Sequence, residues 1–333
     1  MRRTVWLVIW TVALAGAARA AATRPADKRI VARAYALRMA GQAEAARKLL
    51  AAYAKIHPND ASAHWELART LFYLMDIDGA AEQAAAAVRL APDNPRYLHM
   101  QGLACNYGAI RKHATNKPAA ARVLARRAIA AWARALKLRP DFDDARQRLI
   151  GCYARLPADH GGDRAKAEAL VKQAEGRGAL AGALARCELA PTETEANISR
   201  LRKAMKASKP TAPGQAALAG QLARAGKFDE ADAAIRRCIR LDPSRADVLL
   251  WVGRSYAWKK NHARADALFQ RYLALAPPGP GPLRAWTLFA RGVVRMRQGD
   301  REGAEALRKQ AAKLDAGCWR VAAPPPRELL TAP

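Results

Sequence analysis

Residues 253–277 read GRSYAWKKNHARADALFQRYLALAP and set Gly253, Tyr256, Ala265, Phe269 and Pro277 at intervals of 3, 9, 4 and 8 residues. No catalytic cluster is visible in the stretch. A glycine, an aromatic, an alanine, a second aromatic and a closing proline are the residues a pair of closely packed helices needs. Small side chains let the helices approach, rings fill the space between them, and proline stops the second helix.

The pattern recurs. Residues 65–92, WELARTLFYLMDIDGAAEQAAAAVRLAP, place Leu67, Ala68, Leu71, Ala80, Ala84, Ala87 and Pro92 in corresponding positions. Residues 218–243, LAGQLARAGKFDEADAAIRRCIRLDP, and residues 39–58, MAGQAEAARKLLAAYAKIHP, do the same. Pro58 and Pro92 are 34 residues apart, and so are Pro243 and Pro277. The chain resembles the tetratricopeptide-repeat family, whose helix–turn–helix unit has that period. The resemblance implies an all-α fold, a right-handed superhelical solenoid of about eight repeats over residues 27–316. One hairpin of this kind cannot bury its own apolar face, so neighbours must stack.

Within the units, Gly102, Gly253 and Gly292 are expected mid-helix, where a side chain would hold the neighbouring helix off. Ala80, Ala231 and Ala265 are expected to do the same in the second helix. Gly41, Gly226 and Gly299 fall at the turn, where positive φ is cheap for glycine. The middle is less regular. Pro92 and Pro140 are 48 residues apart, and the surplus of residues 109–120 is expected to lengthen the connection between two helices. Residues 141–210 are irregular, with breaks at Pro157, Gly161 and Gly162. Residues 178–189 and 193–206 read as a degenerate hairpin. Residues 317–333, with three consecutive prolines, read as a loose tail.

Residues 1–20, MRRTVWLVIWTVALAGAARA, have two arginines, an apolar run too short for a comfortable bilayer span, and an Ala-Arg-Ala cleavage site. They are expected to be a secretory signal, which predicts a periplasmic or secreted protein. The net charge is +28, and the first twenty residues contribute Arg2, Arg3 and Arg19 to it. A field of that size attracts polyanions and acidic proteins. Export turns the expectation away from nucleic acid and towards an acidic peptide or protein, an anionic wall polymer, or lipid headgroups. The five cysteines, Cys105, Cys152, Cys187, Cys238 and Cys318, form no C-x-x-C pair. The first four lie in apolar helical patterns and are expected to be buried free thiols.

No enzyme is expected, and neither a cofactor, a metal nor a small-molecule substrate is indicated. None of the six histidines sits in a metal or catalytic motif. His160-Gly161-Gly162-Asp163 lacks the phosphate-loop signature, so the glycines are expected to turn the chain and Asp163 to cap a helix near Arg164. The family resemblance implies instead a concave groove lined by the first helix of each unit. Carried onto this chain, the groove positions include Tyr35 and Arg38 in the first unit and Ser62, Trp65, Arg69, Phe72 and Tyr73 in the second. The third supplies Arg96, His99, Leu103, Asn106 and Tyr107, the seventh Arg254 and Trp258, and the eighth Trp286, Phe289 and Arg297. Arginines and aromatics dominate that set in a chain with only 6% aromatics, a mixture typical of binding hot spots. The paired lysine and asparagine of chaperone-binding family members are not evident. The expected function is a non-catalytic envelope scaffold holding a peptide or protein, with electrostatic binding of wall polymer or membrane as the alternative.

Overall fold

The computed structural model describes residues 28–275 and 282–314, and every regular element among them is helical. In chain order the helices form hairpins: α1 (Lys28–Met39) with α2 (Ala43–Ile56), α3 (Ala61–Tyr73) with α4 (Ile77–Leu90), and α5 (Pro95–Ala114) with α6 (Pro118–Leu138). Next come α7 (Asp143–Arg155) with α8 (Arg164–Gly176), and α9 (Ala179–Leu189) with α10 (Thr194–Ala207). The last three are α11 (Ala212–Arg224) with α12 (Phe228–Leu241), α13 (Val248–Trp258) with α14 (His262–Leu275), and α15 (Pro282–Arg297) with α16 (Arg301–Leu314). Each hairpin packs on the next. First helices also touch their successors, α1 on α3, α3 on α5, α7 on α9, and α11 on both α9 and α13. The apolar core is a string of clusters along this array rather than one centre, as stacked repeats require.

The signals that start and stop the helices are the expected ones. Asp60 accepts hydrogen bonds from the backbone N–H groups of Ser62 and Ala63 at the start of α3, and Asp76 accepts one from Gly79 at the start of α4. Such caps satisfy amides that have no partner inside the helix. Pro58, Pro92, Pro140 and Pro243 each stand two residues past a helix end. Pro277 lies outside the described residues. Asp163 caps α8 through the Lys166 N–H, and Gly161 turns the chain at φ 96°, so the His160–Asp163 stretch turns the chain and starts the next helix as expected.

Six of the eight hairpin turns divide into two kinds. Gly41, Gly226 and Gly299 take φ of 79°, 78° and 88° at three of them. At three others Met75, Asn116 and Lys260 take φ of 60°, 55° and 60°, a geometry costing an ordinary residue about 1–2 kcal/mol. Asparagine tolerates this geometry, whereas stacking of the hairpin holds Met75 and Lys260 where their own preference would not.

Helix spacing rests on the small residues. A Cβ on Gly102 would lie 2.4 Å from the Trp132 indole, and one on Gly253 would lie 2.8 Å from the Phe269 ring. A Cβ on Gly292 would come within 3.0 Å of the Ala304 carbonyl oxygen. Ala80, Ala231 and Ala265 are wholly buried, as are Trp132 and Tyr256. The Tyr256 hydroxyl donates to the Phe228 carbonyl and to Asp232 (2.8 Å), tying the α13 hairpin to the one before it.

One expectation is corrected. The surplus of residues 109–120 does not lengthen the connection between α5 and α6. It lengthens the helices to 20 and 21 residues, leaving Thr115, Asn116 and Lys117 as the turn. Residues 109–114 contain no helix breaker, and Pro118 is at home in the first turn of α6.

Cys105, Cys187 and Cys238 are buried and Cys152 half-buried, all as free thiols, while Cys318 lies outside the described residues. Burial pushes the Cys152 thiol up to about 11 and the Cys187 thiol up to about 12.

Two outcomes follow from this packing. Gly253→Leu is expected to destabilise by about 1–3 kcal/mol through overpacking against Phe269. Circular dichroism should record the loss as a lower melting temperature, and an unchanged melt would contradict the packing described. Since the thiolate is the reactive form, an aromatic disulfide reagent at neutral pH should spare Cys152 and Cys187 until denaturant is added. Rapid native labelling of either, mapped by peptide mass, would contradict their burial.

Candidate functional site

The candidate residues fall into three groups. In the first, at the α1–α3 end, Arg38 and Arg69 share one carboxylate. Glu66 Oε1 accepts from Arg38 at 2.9 Å and Oε2 from Arg69 at 3.0 Å. Glu66 is 1% exposed and Arg38 8%, so much of this charge is already committed to holding α1 on α3. Arg69 also lies over the Trp65 ring (4.6 Å to the centroid) and the Tyr35 ring (5.8 Å), and Trp65 leans on Tyr97 at 5.6 Å. A cleft of about 380 Å³ opens beside them, lined by Val31, Ala32, Tyr35, Ser62, Trp65, Glu66 and Arg69.

The second group lies along α3 and α5. Phe72 meets Tyr107 edge to face at 4.9 Å, and half-buried Tyr73 follows it. Asn106 lies 4.0 Å from the Cys152 sulfur, against α7. His99 is turned into the packing between α5 and the elements after it, with its ring 4.9 Å from Phe142 and 6.4 Å from Trp132.

The third group is on α13 to α15. Half-buried Arg254 has the rings of Trp251 and Trp286 each 5.5 Å from its guanidinium carbon. Trp286 is itself set edge-on against buried Phe269. Trp258 is 46% exposed, with the Lys259 ammonium 5.2 Å from its ring. Burial draws the Arg254 guanidinium below its ordinary range, and the field of Tyr107, four hairpins earlier, acts in the opposite sense. Tyr73 and Tyr272 are likewise pushed up by burial, Tyr272 to about 12, with Arg284 acting on both and Tyr73 acting on Tyr272. Side chains of α3 and α5 thus lie within electrostatic reach of α13, α14 and α15. The array curls so that its second and third hairpins look across at its seventh and eighth.

Five members of this arrangement are not among the sequence candidates, one of them Arg284 on α15. Glu66 and Tyr97 face the first cluster, Trp251 stands one turn before Arg254, and Tyr272 comes from the second helix of its hairpin. An acid 28 residues from the arginine it pairs with leaves no local signal, and a search confined to first helices passes over Tyr272.

The arrangement offers cations, rings and hydroxyls, the means of recognition. Among the described residues no group of three or more His, Cys, Asp or Glu side chains is placed to hold a metal ion. No helix among them is long and apolar enough to cross a membrane.

Two stretches match family models described as tetratricopeptide repeat, residues 247–278 and residues 222–245. Those two stretches of the chain are tetratricopeptide repeats. A comparison with curated proteins finds no match. Among solved structures the chain is similar to a thermophilic tetratricopeptide-repeat protein of Thermus thermophilus, at 17% identity over 70% of this chain and 100% of that one, with a TM-score of 0.44. It is also similar to a tetratricopeptide repeat protein from Parabacteroides merdae, at 13% identity over 86% and 93% of the two chains and a TM-score of 0.41. A third, a Thermobaculum terrenum O-GlcNAc transferase, is 20% identical over 46% of this chain and 26% of its own, with a TM-score of 0.35. In the coarse sense that its repeats define, the chain is a protein–protein interaction scaffold.

His99 provides a pH test of the α5 packing. Burial pulls its imidazole down to about 4, with Arg148 and Arg139 adding to the effect and Asp144 opposing it. In the unfolded chain it titrates near about 6.5. Between those values the unfolded chain holds a proton that the folded one lacks. Its contribution is therefore complete above about pH 6.5 and is lost as pH falls towards 4, on the order of 1–3 kcal/mol for a partly exposed ring. Urea melts between those pH values should show the slope, and His99→Gln should flatten it. An identical slope in the variant would contradict the assignment.

Proposed function

We propose that this chain is an exported, non-catalytic scaffold of the cell envelope that holds an acidic segment of a partner protein in its concave face. The observation that carries the reading is that Tyr73 and Tyr107 of one wall lie within electrostatic reach of Arg254, Tyr272 and Arg284 of the other. Rings on a rigid array supply contact area at low entropic cost, and guanidinium groups supply bidentate recognition of carboxylates. The charge of +28 supports an acidic partner by drawing it in. The signal-like residues 1–20 support the envelope as the place of work.

The test is affinity capture from an envelope fraction with residues 21–333, eluted by a salt gradient. One protein retained to high salt by the native chain and lost from Tyr73→Ala/Tyr107→Ala, with the melt of the variant unchanged, is the expected result. Wall polymer, lipid or a crowd of acidic proteins, released at modest salt from both chains alike, would overturn the proposal, because surface attraction is screened by salt while anchored rings are not.

A further inference from the structure

Several arginines around the candidate groove have acidic partners, whereas half-buried Arg254 on α13, flanked by two indoles, has none among the described residues. Arg38 and Arg69 share Glu66, and Arg291 and Arg295 share Asp266 at 2.8 and 3.1 Å. Arg264 has both Asp229 and Asp232. Among the described residues the Arg254 side chain has no carboxylate and no hydrogen-bond acceptor. Its neighbours are the Trp251 and Trp286 rings, and the titratable group that acts on it is the Tyr107 hydroxyl opposite. A guanidinium cannot shed its proton. Withdrawing it from water without a partner is unfavourable, and rings beside it recover only part of the loss.

We infer that Arg254 is the receptor for a carboxylate of the partner, an aspartate or glutamate side chain in the acidic segment laid across the concave face; the inference rests on the groove reading above. The fork of N–H donors on a guanidinium matches the two oxygens of a carboxylate. The indoles hold that fork in place before the ligand arrives, so little freedom is lost on binding. Trp286 is fixed by Phe269, which in turn fills the space left by Gly253. The receptor is therefore built on the packed centre of the seventh hairpin. A dianionic phosphate would need a second free cation at the same spot, and Arg284 of α15 already donates to the Leu273 carbonyl at 2.9 Å. A single negative charge flanked by apolar side chains is what Arg254, Trp251, Trp286 and Tyr107 complement.

The experiment selects displayed random peptides on the native chain, on Arg254→Met and on Arg254→Lys, at about 1 M salt, where the screening length falls to about 3 Å. The native chain should enrich peptides with Asp or Glu at one shared position. That preference should fall about tenfold or more on Arg254→Met, which keeps the side-chain stem against the indoles, and less on Arg254→Lys, which keeps the charge and loses the fork. The melting temperature of Arg254→Met should equal or exceed that of the native chain, because the charge removed has no internal partner. Peptides without an acidic preference, or with one that survives Arg254→Met, would overturn the inference and leave the groove reading standing. Failure of Arg254→Met to fold while Arg254→Lys folds would make the arginine structural and overturn it as well. If the native chain retains no peptide, the groove reading falls together with it.

Discussion

Phe269 occupies the space that a side chain at residue 253 would need, 2.8 Å from where its Cβ would stand. The same relation holds between Gly102 and Trp132 in the third hairpin. Everything else in the molecule depends on this close approach of paired helices. A hairpin held together by a ring lying against a bare backbone still leaves apolar surface uncovered on both sides, and only another hairpin can cover it. The array is the consequence, and its core becomes a string of clusters with no single centre.

That constraint reaches the candidate site through a short chain of contacts. Gly253 admits Phe269, Phe269 meets Trp286 edge to face, and Trp286 lies against Arg254. At the other end of the array, the Glu66 carboxylate locks Arg38 and Arg69 into the joint between the first two hairpins. Two clusters of similar composition therefore have different physical standing. In one the positive charge is largely used up by the fold, and in the other it is held unpaired in the face of Tyr107. Charge counts and residue types do not distinguish them, whereas the location of a buried acid does.

The fold is legible in the sequence because its decisive residues are small and periodic. Two pairs of stretches, each with alanine and proline recurring at 34 residues, leave little room for another arrangement. The middle is less legible, since residues 109–114 continue a helix as readily as they form a loop, and nothing in them signals where α5 ends. Nor do the turns at Met75 and Lys260 announce themselves, because their left-handed geometry is imposed by the stacked hairpin and runs against side-chain preference. At the candidate site the pattern names the first-helix residues but does not separate their roles. Arg38, Arg69 and Arg254 look alike in sequence, and the pairing with Glu66 depends on contacts between helices. Tyr272 stays out of view because it approaches from a second helix.

The claim on which the account turns is that the array curls until α5 and α13 face each other. A straight stack, with one helix spacing of 8–10 Å per repeat, would hold these helices roughly 32–40 Å apart. The direct measurement is a pulsed dipolar distance between spin labels at Ile110→Cys and Trp258→Cys, both exposed and both one turn beyond the facing pair Tyr107 and Arg254, with the native cysteines replaced. A curled array gives a narrow distribution centred well below roughly 32 Å, the shortest distance of the straight stack. A distribution at or beyond the straight-stack distance would mean that the two walls never meet and that the site joining them does not exist.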